Sequence, residues 1–459
     1  MPVIARWRRW PLALLACGIS FTACADEVDD AIALLRAGKA DAAYQLLAPL
    51  IDKEVGNERF YLTLGAVALD SGRPQVAVAA LKHALLKNPR LTVARVDLAR
   101  AYLALTLYAD AKRELTQLLA ENPPPQARPA LERMLAAAEA GVHAETFGVV
   151  SGYIEVGYGR DSNITAATSD FTGGIQGAYG LPGFQPTGSS ILRRANFAQV
   201  SAGVDWLKPL DSNWAVTAGA AGFWRGYNHF SAYDQTSGDV RLGALYTDGR
   251  QLLRLGTSYQ RYDQDTDAPG TPRPTADRRS VGLSADWRFN LDREWSIGAF
   301  GAVNRSRYPD NPVLDFNETQ GGVSLTRRFI GVANASVTLS PSYTDDRALN
   351  AIPGSATGAS FSRRIGGARL SGQFDPLANV TLFASIGYFV RRDASDFARS
   401  TLVARGEDEQ TDYSLGASWR FARNWSVRVL ASHTENRSNI SLYDYDRNEF
   451  FVGVRYDFR

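Results

Sequence analysis

The chain has 459 residues, 45% of them hydrophobic and 11% aromatic, which is ample for a core and too long for one ordinary domain. Lysine and arginine total 50 against 48 acids. Setting aside Arg6, Arg8 and Arg9 of the basic leader leaves 47 against 48, so no charge surplus points to nucleic acid as a partner.

Residues 1–25 read as a signal peptide: a basic start at Arg6-Trp-Arg-Arg9, an apolar stretch from Pro11 to about Phe21, and Ala23-Cys-Ala25 as a small-residue cleavage site. The protein is therefore expected to leave the cytoplasm. Both cysteines, Cys17 and Cys24, lie in this segment, so the processed chain would have no thiol. A competing reading makes one of them a lipidated N-terminus. The short apolar run before Cys17, and Phe21 three residues before Cys24, weigh against it. Beyond residue 25 no apolar run approaches the ~20 residues that a membrane-crossing helix needs. Any crossing must be made of strands.

From Asp26 to Ala144 the chain is rich in alanine and leucine with apolar residues at three-and-four spacing, which predicts helices. A step of 34 residues superimposes Ala43, Ala77 and Ala111, then Leu47, Leu81 and Leu115, with Ala31, Gly65 and Ala99 at a small-residue position; this period and pattern are those of the tetratricopeptide repeat. The copy from Glu58 to Leu91 is the clearest. Gly65 and Ala77 are small there because two helices cross, and Tyr61 and Leu81 fill the space beside them. A last helix from Gln126 to about Gly141, after Pro123-Pro-Pro125, is expected to cap the stack. On repeat geometry the inner groove would be lined by Arg59, Leu62, Leu69, Val93, Val96, Arg100 and Leu103, a set more apolar than a solvated face needs. It suits either a captured polypeptide or packing within the protein.

After Thr146 the glycines and tyrosines concentrate, and the period falls to two. In the final segment Val452, Val454, Tyr456 and Phe458 alternate with Phe451, Gly453, Arg455 and Asp457. Segments of about ten residues with one apolar and one glycine-and-charge face are what a barrel with a lipid-facing outside and a polar lumen requires. Tight turns are expected at 208–213, 290–293, 330–333, 375–378 and 422–424. Long polar connections are expected around 160–192, 263–277, 346–358 and 392–408. Trp206 and Trp214, Trp287 and Trp295, and Trp419 and Trp425 bracket three of the tight turns, as an interfacial girdle would. The count is 14 strands, from near Val149 to Phe458, which puts both ends on the periplasmic side. The predicted fold class is thus α+β multidomain: residues 1–25 signal peptide, 26–144 periplasmic tetratricopeptide repeats, and 147–459 a 14-stranded antiparallel transmembrane β-barrel of a Gram-negative outer membrane.

Signatures of catalysis are missing: there is no His-Glu-x-x-His, no Gly-x-Ser-x-Gly, no phosphate-binding glycine loop and, past the leader, no cysteine cluster. Neither an enzyme, a cofactor nor a metal site is expected. Of the four histidines, His83, His143 and His229 carry ordinary packing or surface readings, and His433 with Glu435 lacks a nucleophile beside it. Charges of both signs, among them Asp205, Arg225, Asp239, Arg241, Asp286, Arg288, Arg363 and Arg391, are expected to face the lumen and pair across it.

Helical repeats followed by a barrel that opens with Gly157-Tyr-Gly-Arg-Asp-Ser-Asn163 and closes with Tyr443-Asp-Tyr-Asp-Arg-Asn-Glu-Phe450 resemble the surface lipoprotein assembly modulator family over nearly the whole processed chain. The resemblance implies an outer-membrane translocator without catalysis, whose periplasmic repeats engage a client, either a surface lipoprotein or a secreted binding protein. It also implies that Gly453, Tyr456 and Phe458 form a terminal signal read by the barrel-insertion machinery, although Arg459 displaces the aromatic from the last place. Asp161, Ser162 and Asn163 would order the first external loop, or simply close a tight turn after the strand. A polysaccharide exporter, a solute porin with accessory repeats and a lipid hydrolase are the rival readings.

Overall fold

A computed structural model describes residues 24–54, 56–168, 192–264, 277–332, 334–353, 358–399, 402–440 and 443–459. The expected leader falls almost wholly outside the described residues. The chain divides into two compact units, one ending at Thr146 and one running from Phe147 to Arg459.

The first unit is a stack of three helical hairpins and a seventh helix: α1 (Cys24–Arg36), α2 (Ala40–Leu47), α3 (Glu58–Asp70), α4 (Pro74–Lys87), α5 (Thr92–Ala104), α6 (Tyr108–Ala120) and α7 (Arg128–Phe147). Local chemistry sets the boundaries. The Asn57 side chain accepts from the Phe60 amide at 3.2 Å to cap α3, and Pro74 opens α4 where its missing N–H costs nothing. The period of small residues becomes a packing rule in three dimensions: Ala31, Ala43, Ala77 and Ala111 are fully buried, as are Leu47, Leu81 and Leu115. A Cβ on Gly65 would lie 2.5 Å from Leu81 Cγ, so α3 and α4 can cross only because that hydrogen is not a methyl. The seventh helix runs six residues past the expected end at Gly141. That glycine is not a helix stop; a Cβ there would lie 2.2 Å from Tyr108 Cγ, so it is small for the crossing of α6 and α7, and the chain turns only at Gly148 (φ +83°).

The second unit is a closed antiparallel barrel of fourteen strands: β1 (Val149–Asp161), β2 (Ala195–Pro209), β3 (Trp214–Tyr227), β4 (Gln235–Thr247), β5 (Gln251–Gln264), β6 (Arg278–Asn290), β7 (Trp295–Arg307), β8 (Phe316–Arg328), β9 (Ser336–Ala348), β10 (Arg363–Leu377), β11 (Val380–Arg399), β12 (Leu402–Arg420), β13 (Trp425–Ser438) and β14 (Tyr445–Phe458). Each strand pairs with its neighbour in sequence, and β14 returns to β1. The expected first and last strand residues, Val149 and Phe458, are the observed ones. Because β1 and β14 are antiparallel, with Gly152 opposite Phe458, the unit's two ends emerge at the same end of the barrel as the short turns.

Which face looks out decides the solvent. The large apolar side chains Val156, Val200, Leu283 and Leu415 are 55%, 40%, 61% and 63% exposed, and they share their outer face with the six tryptophans that bracket the turns. The opposite face carries Glu155, Arg225, Asp239, Arg254, Asp286, Arg369, Asp412 and Arg447. An apolar exterior around a polar interior is the reverse of a water-soluble sheet and is the arrangement of a bilayer-spanning, outer-membrane-type barrel.

The tight turns repeat one device. Oδ1 of Asp211 accepts from the amides of Asn213 and Trp214 at 2.8 Å each, Asp248 does the same for Arg250 and Gln251, and Asp292 for Glu294 and Trp295. The turn at 248–250 carries no tryptophan bracket, and it was not among the expected five. One expected loop is strand instead: residues 392–399 and 402–408 extend β11 and β12 into a long hairpin, with a register shift between Arg392 and Asp396. Charge made that stretch read as loop. Opposed charges hold it, Arg392 to Glu407 at 2.9 Å and Arg405 to Asp396 at 3.2 Å.

Candidate functional site

Two places gather the sequence-derived candidates. On the helical unit, α3 and α5 carry all seven groove residues. Leu62, Leu69, Val96 and Leu103 are half-buried and pack against the two helical cores, whereas Val93 is 63% exposed. The two arginines are engaged: Arg59 pairs with Asp29 of α1, and Arg100 bridges Asp70 of α3 at 3.1 Å and Asp97 at 2.8 Å. Burial alone would lower the Arg100 pKa, and the two carboxylates more than offset it, so that it stays charged above its ordinary value. The result is a face of ion pairs laid across successive hairpins, with Val93 as its exposed apolar point.

The second place is the closure of the barrel, where the two motifs that lie almost 300 residues apart meet. Arg447 Nε on β14 donates to both carboxylate oxygens of Asp161 on β1 at 3.1 Å, and Asp161 is fully buried. Ser162 and Asn448 exchange two hydrogen bonds: the Ser162 amide donates to the Asn448 carbonyl at 2.9 Å, and the Asn448 amide to Ser162 Oγ at 2.7 Å. Asn163, also fully buried, donates from Nδ2 to the carbonyls of Ala167 at 2.8 Å and Asp446 at 3.1 Å, while its own oxygen accepts from the Ala167 amide. Asp161 Oδ1 accepts from the Asn163 amide at 2.9 Å, so the element is a tight Asx turn and a strand-to-strand clasp at once.

Sequence reasoning missed what surrounds the clasp. Glu449 lies opposite Asp161 in the register and accepts two bonds from Arg225 of β3, at 2.9 and 3.1 Å, and Arg225 in turn reaches Gln199 and stacks over the Phe197 ring at 4.0 Å. Phe197, fully buried, lies parallel to Phe451 with centroids 6.2 Å apart and meets Tyr227 edge-on. The glycines of the opening motif make room for these rings. A Cβ on Gly157 would lie 2.3 Å from Phe451 Cζ, and one on Gly159 2.3 Å from Phe197 Cζ. Lower down, Glu155 accepts from Arg428 of β13 at 2.8 Å. The wall of the lumen at the seam is therefore an aromatic stack roofed by a chain of alternating charges. The only signal for it was the alternation that placed Arg225 inside.

The remaining lumenal charges pair in part: Arg241 reaches Asp205 and Asp239 at 3.4 and 3.2 Å, Arg363 reaches Asp346 at 2.8 Å, and Arg391 pairs with Asp408, while Asp286 and Arg288 form no ion pair among the described residues. His433 lies outside this set, since its position alternates with Val429 and Ala431 on the outer face, and its Nδ1 is 2.9 Å from Asn448 Oδ1. At the terminal strand, Gly453 faces inward beneath Phe451, Tyr456 packs on Trp425 at 4.9 Å, and Phe458 covers Gly152, where a Cβ would be 2.5 Å from its ring.

A family model described as tetratricopeptide repeat matches residues 68–138. No curated protein matches the chain. Among solved structures, a FadL homologue of Pseudomonas aeruginosa is similar at 11% identity over 68% of this chain and 90% of that one, with a TM-score of 0.38. The outer membrane channel DcaP of Acinetobacter baumannii is similar at 12% identity over 68% and 96%, with a TM-score of 0.39. The first TPR domain of human RPAP3 is similar at 18% identity over 26% and 94%, with a TM-score of 0.24. The fold assignment rests on the chain's own strand register: tetratricopeptide repeats precede a closed 14-stranded antiparallel barrel in a single polypeptide.

Proposed function

We propose that this chain is an outer-membrane translocator that helps export or surface-display a client protein, with the repeats capturing the client on the periplasmic side and the barrel providing its passage. The observation that carries this reading is the covalent union of a polypeptide-binding type of repeat with a membrane-spanning barrel, α7 and β1 being separated by Gly148 alone. A client held on the repeats is kept at high local concentration beside the barrel without any further contact. Passage needs no catalysis, only a polar route, and the alternating charges of the inner face supply one. The terminal strand, with Tyr456 and Phe458 outward and Gly453 inward, fits recognition by the insertion machinery. Deleting residues 26–144 should leave an inserted, heat-modifiable barrel and abolish surface exposure of a co-expressed client encoded by the adjacent reading frame. Undiminished display by the deletion would remove the role given to the repeats.

A further inference from the structure

Outward arginines of β5 to β7 differ from those of β9 to β13 in how they are neutralised. Among the described residues of β9 to β13, the outward arginines beyond the apolar band have carboxylates beside them: Arg347 and Arg364 share Asp345 at 2.8 and 3.7 Å, Arg392 has Glu407 at 2.9 Å, and Arg437 has Glu435 at 2.6 Å. On β5 to β7 the pattern breaks. Arg261 stands directly opposite Arg279, and Arg279 directly opposite Arg307, so that three arginines form one row across three strands, with Arg305 two residues below Arg307. All four are exposed. The flanking members have their own acids, Arg261 with Asp263 at 2.7 Å and Arg307 with Asp315 at 2.6 Å. Arg279 and Arg305 have none among the described residues.

Like charges set directly across a ladder are destabilising, and diagonal neighbours are still within about 7 to 8 Å of each other. Two unneutralised guanidinium groups on diagonal positions are within reach of one shared phosphate, which arginine holds through paired N–H donors. Directly below the row on the same face lie Tyr259, Val281 and Val303, 45%, 55% and 50% exposed, which belong to the lipid-facing band. The row thus sits where acyl chains end and headgroups begin, at the end of the barrel opposite the short turns.

We propose that Arg279 and Arg305, flanked by Arg261 and Arg307, form a docking site for the phosphate of a phosphorylated lipid headgroup in the external leaflet. The proposal rests on the membrane reading of the barrel. Its occupant is a lipid and not an anion from solution, because the arginine row adjoins Tyr259, Val281 and Val303 of the apolar band that would take the acyl chains. Bound lipid would anchor one side of the barrel and leave the opposite side, where the arginines are neutralised, free to move within the leaflet.

The test uses the full chain in phosphatidylcholine nanodiscs, with lipid retention counted by native mass spectrometry after adding a bisphosphorylated glucosamine-disaccharide lipid, its dephosphorylated form, or inorganic phosphate alone. Wild type should retain the phosphorylated lipid over the dephosphorylated one. The pair Arg279→Gln with Arg305→Gln should weaken retention by about tenfold. The pair Arg279→Lys with Arg305→Lys should retain an intermediate amount, and Arg392→Gln should leave retention unchanged. Equal retention of both lipids, equal retention by the Gln pair, or the same occupancy with inorganic phosphate alone would each overturn the site. A wild-type chain that does not enter the disc at all contradicts the membrane reading itself, which separates that failure from failure of the site.

Discussion

Arg447 on the last strand grips Asp161 on the first through both carboxylate oxygens, and this pair joins the two ends of a barrel whose closing strands are almost 300 residues apart in sequence. Asp161 is fully buried, and the Arg447 side chain is about one-third exposed. Removing one partner of a buried pair strands the other, at a cost of about 3 kcal/mol or more. Asp161→Ala should therefore lower the temperature at which the barrel loses its compact migration on gels, and Arg447→Met in the same chain should recover part of the loss. If Asp161→Ala migrates and melts as wild type does, the clasp does not hold the seam.

The glycines beneath the aromatic stack are the second test. Gly159→Val should drive the Phe197 ring out of its place and reduce stability by about 1 to 3 kcal/mol, the range for overpacking. Combining it with Phe197→Ala should recover only part of the loss, because the Phe450 carbonyl oxygen would still stand 2.5 Å from the added Cβ. Equal melting of Gly159→Val and wild type would show that the ring is free to move.

In the helical unit, Gly65→Val should unfold the α3–α4 crossing against Leu81, lowering the helical melting transition while the barrel transition stays put. Circular dichroism at a helical wavelength separates the two. A Leu81→Ala background should relieve the clash.

Client capture is best probed at Val93, because Leu62 and Val96 are half-buried against the cores and aspartate there would perturb the helices as well. Val93→Asp should weaken client pull-down by about tenfold, as loss of an exposed apolar contact at an interface does, with helicity unchanged. Undiminished capture would return this face to a solvated role.

The turn aspartates give a pH signature. Backbone amides hold the carboxyls of Asp211 and Asp248 below the ordinary aspartate value, through Asn213 and Trp214 in one turn and Gln251 and Arg250 in the other. A depressed folded pKa means stability that is present above the unfolded value and lost as pH falls through the folded one. Asp211→Ala should thus melt below wild type near neutral pH, and the difference should shrink as pH falls below the ordinary aspartate range. A constant difference across that range would contradict the turn assignment.

Much of this architecture was legible because its physics is periodic. A 34-residue step exposed the helical crossings at Gly65 and Ala77, and a two-residue alternation exposed fourteen strands and the inward position of Arg225. What escaped is non-periodic. Gly141 read as a stop because glycine usually ends helices, yet here it accommodates the ring of Tyr108. Residues 392–408 read as loop because charge usually marks solvent, yet opposed charges on β11 and β12 sustain a ladder. The pairing of Asp161 with Arg447 and of Glu449 with Arg225 depends on which strands close the barrel, and a single strand's pattern carries no information about its partner.

The central claim is that the barrel's apolar face meets lipid and its polar face meets water. Single-cysteine variants on a background with Cys17 and Cys24 replaced by serine test it most directly, using a water-soluble maleimide on intact membranes. Ser284→Cys and Ser414→Cys, which face inward, should label, and their chain neighbours Leu283→Cys and Leu415→Cys should stay protected until detergent is added. Labelling of the two leucine positions in the intact membrane, with protection of the two serine positions, would contradict the account.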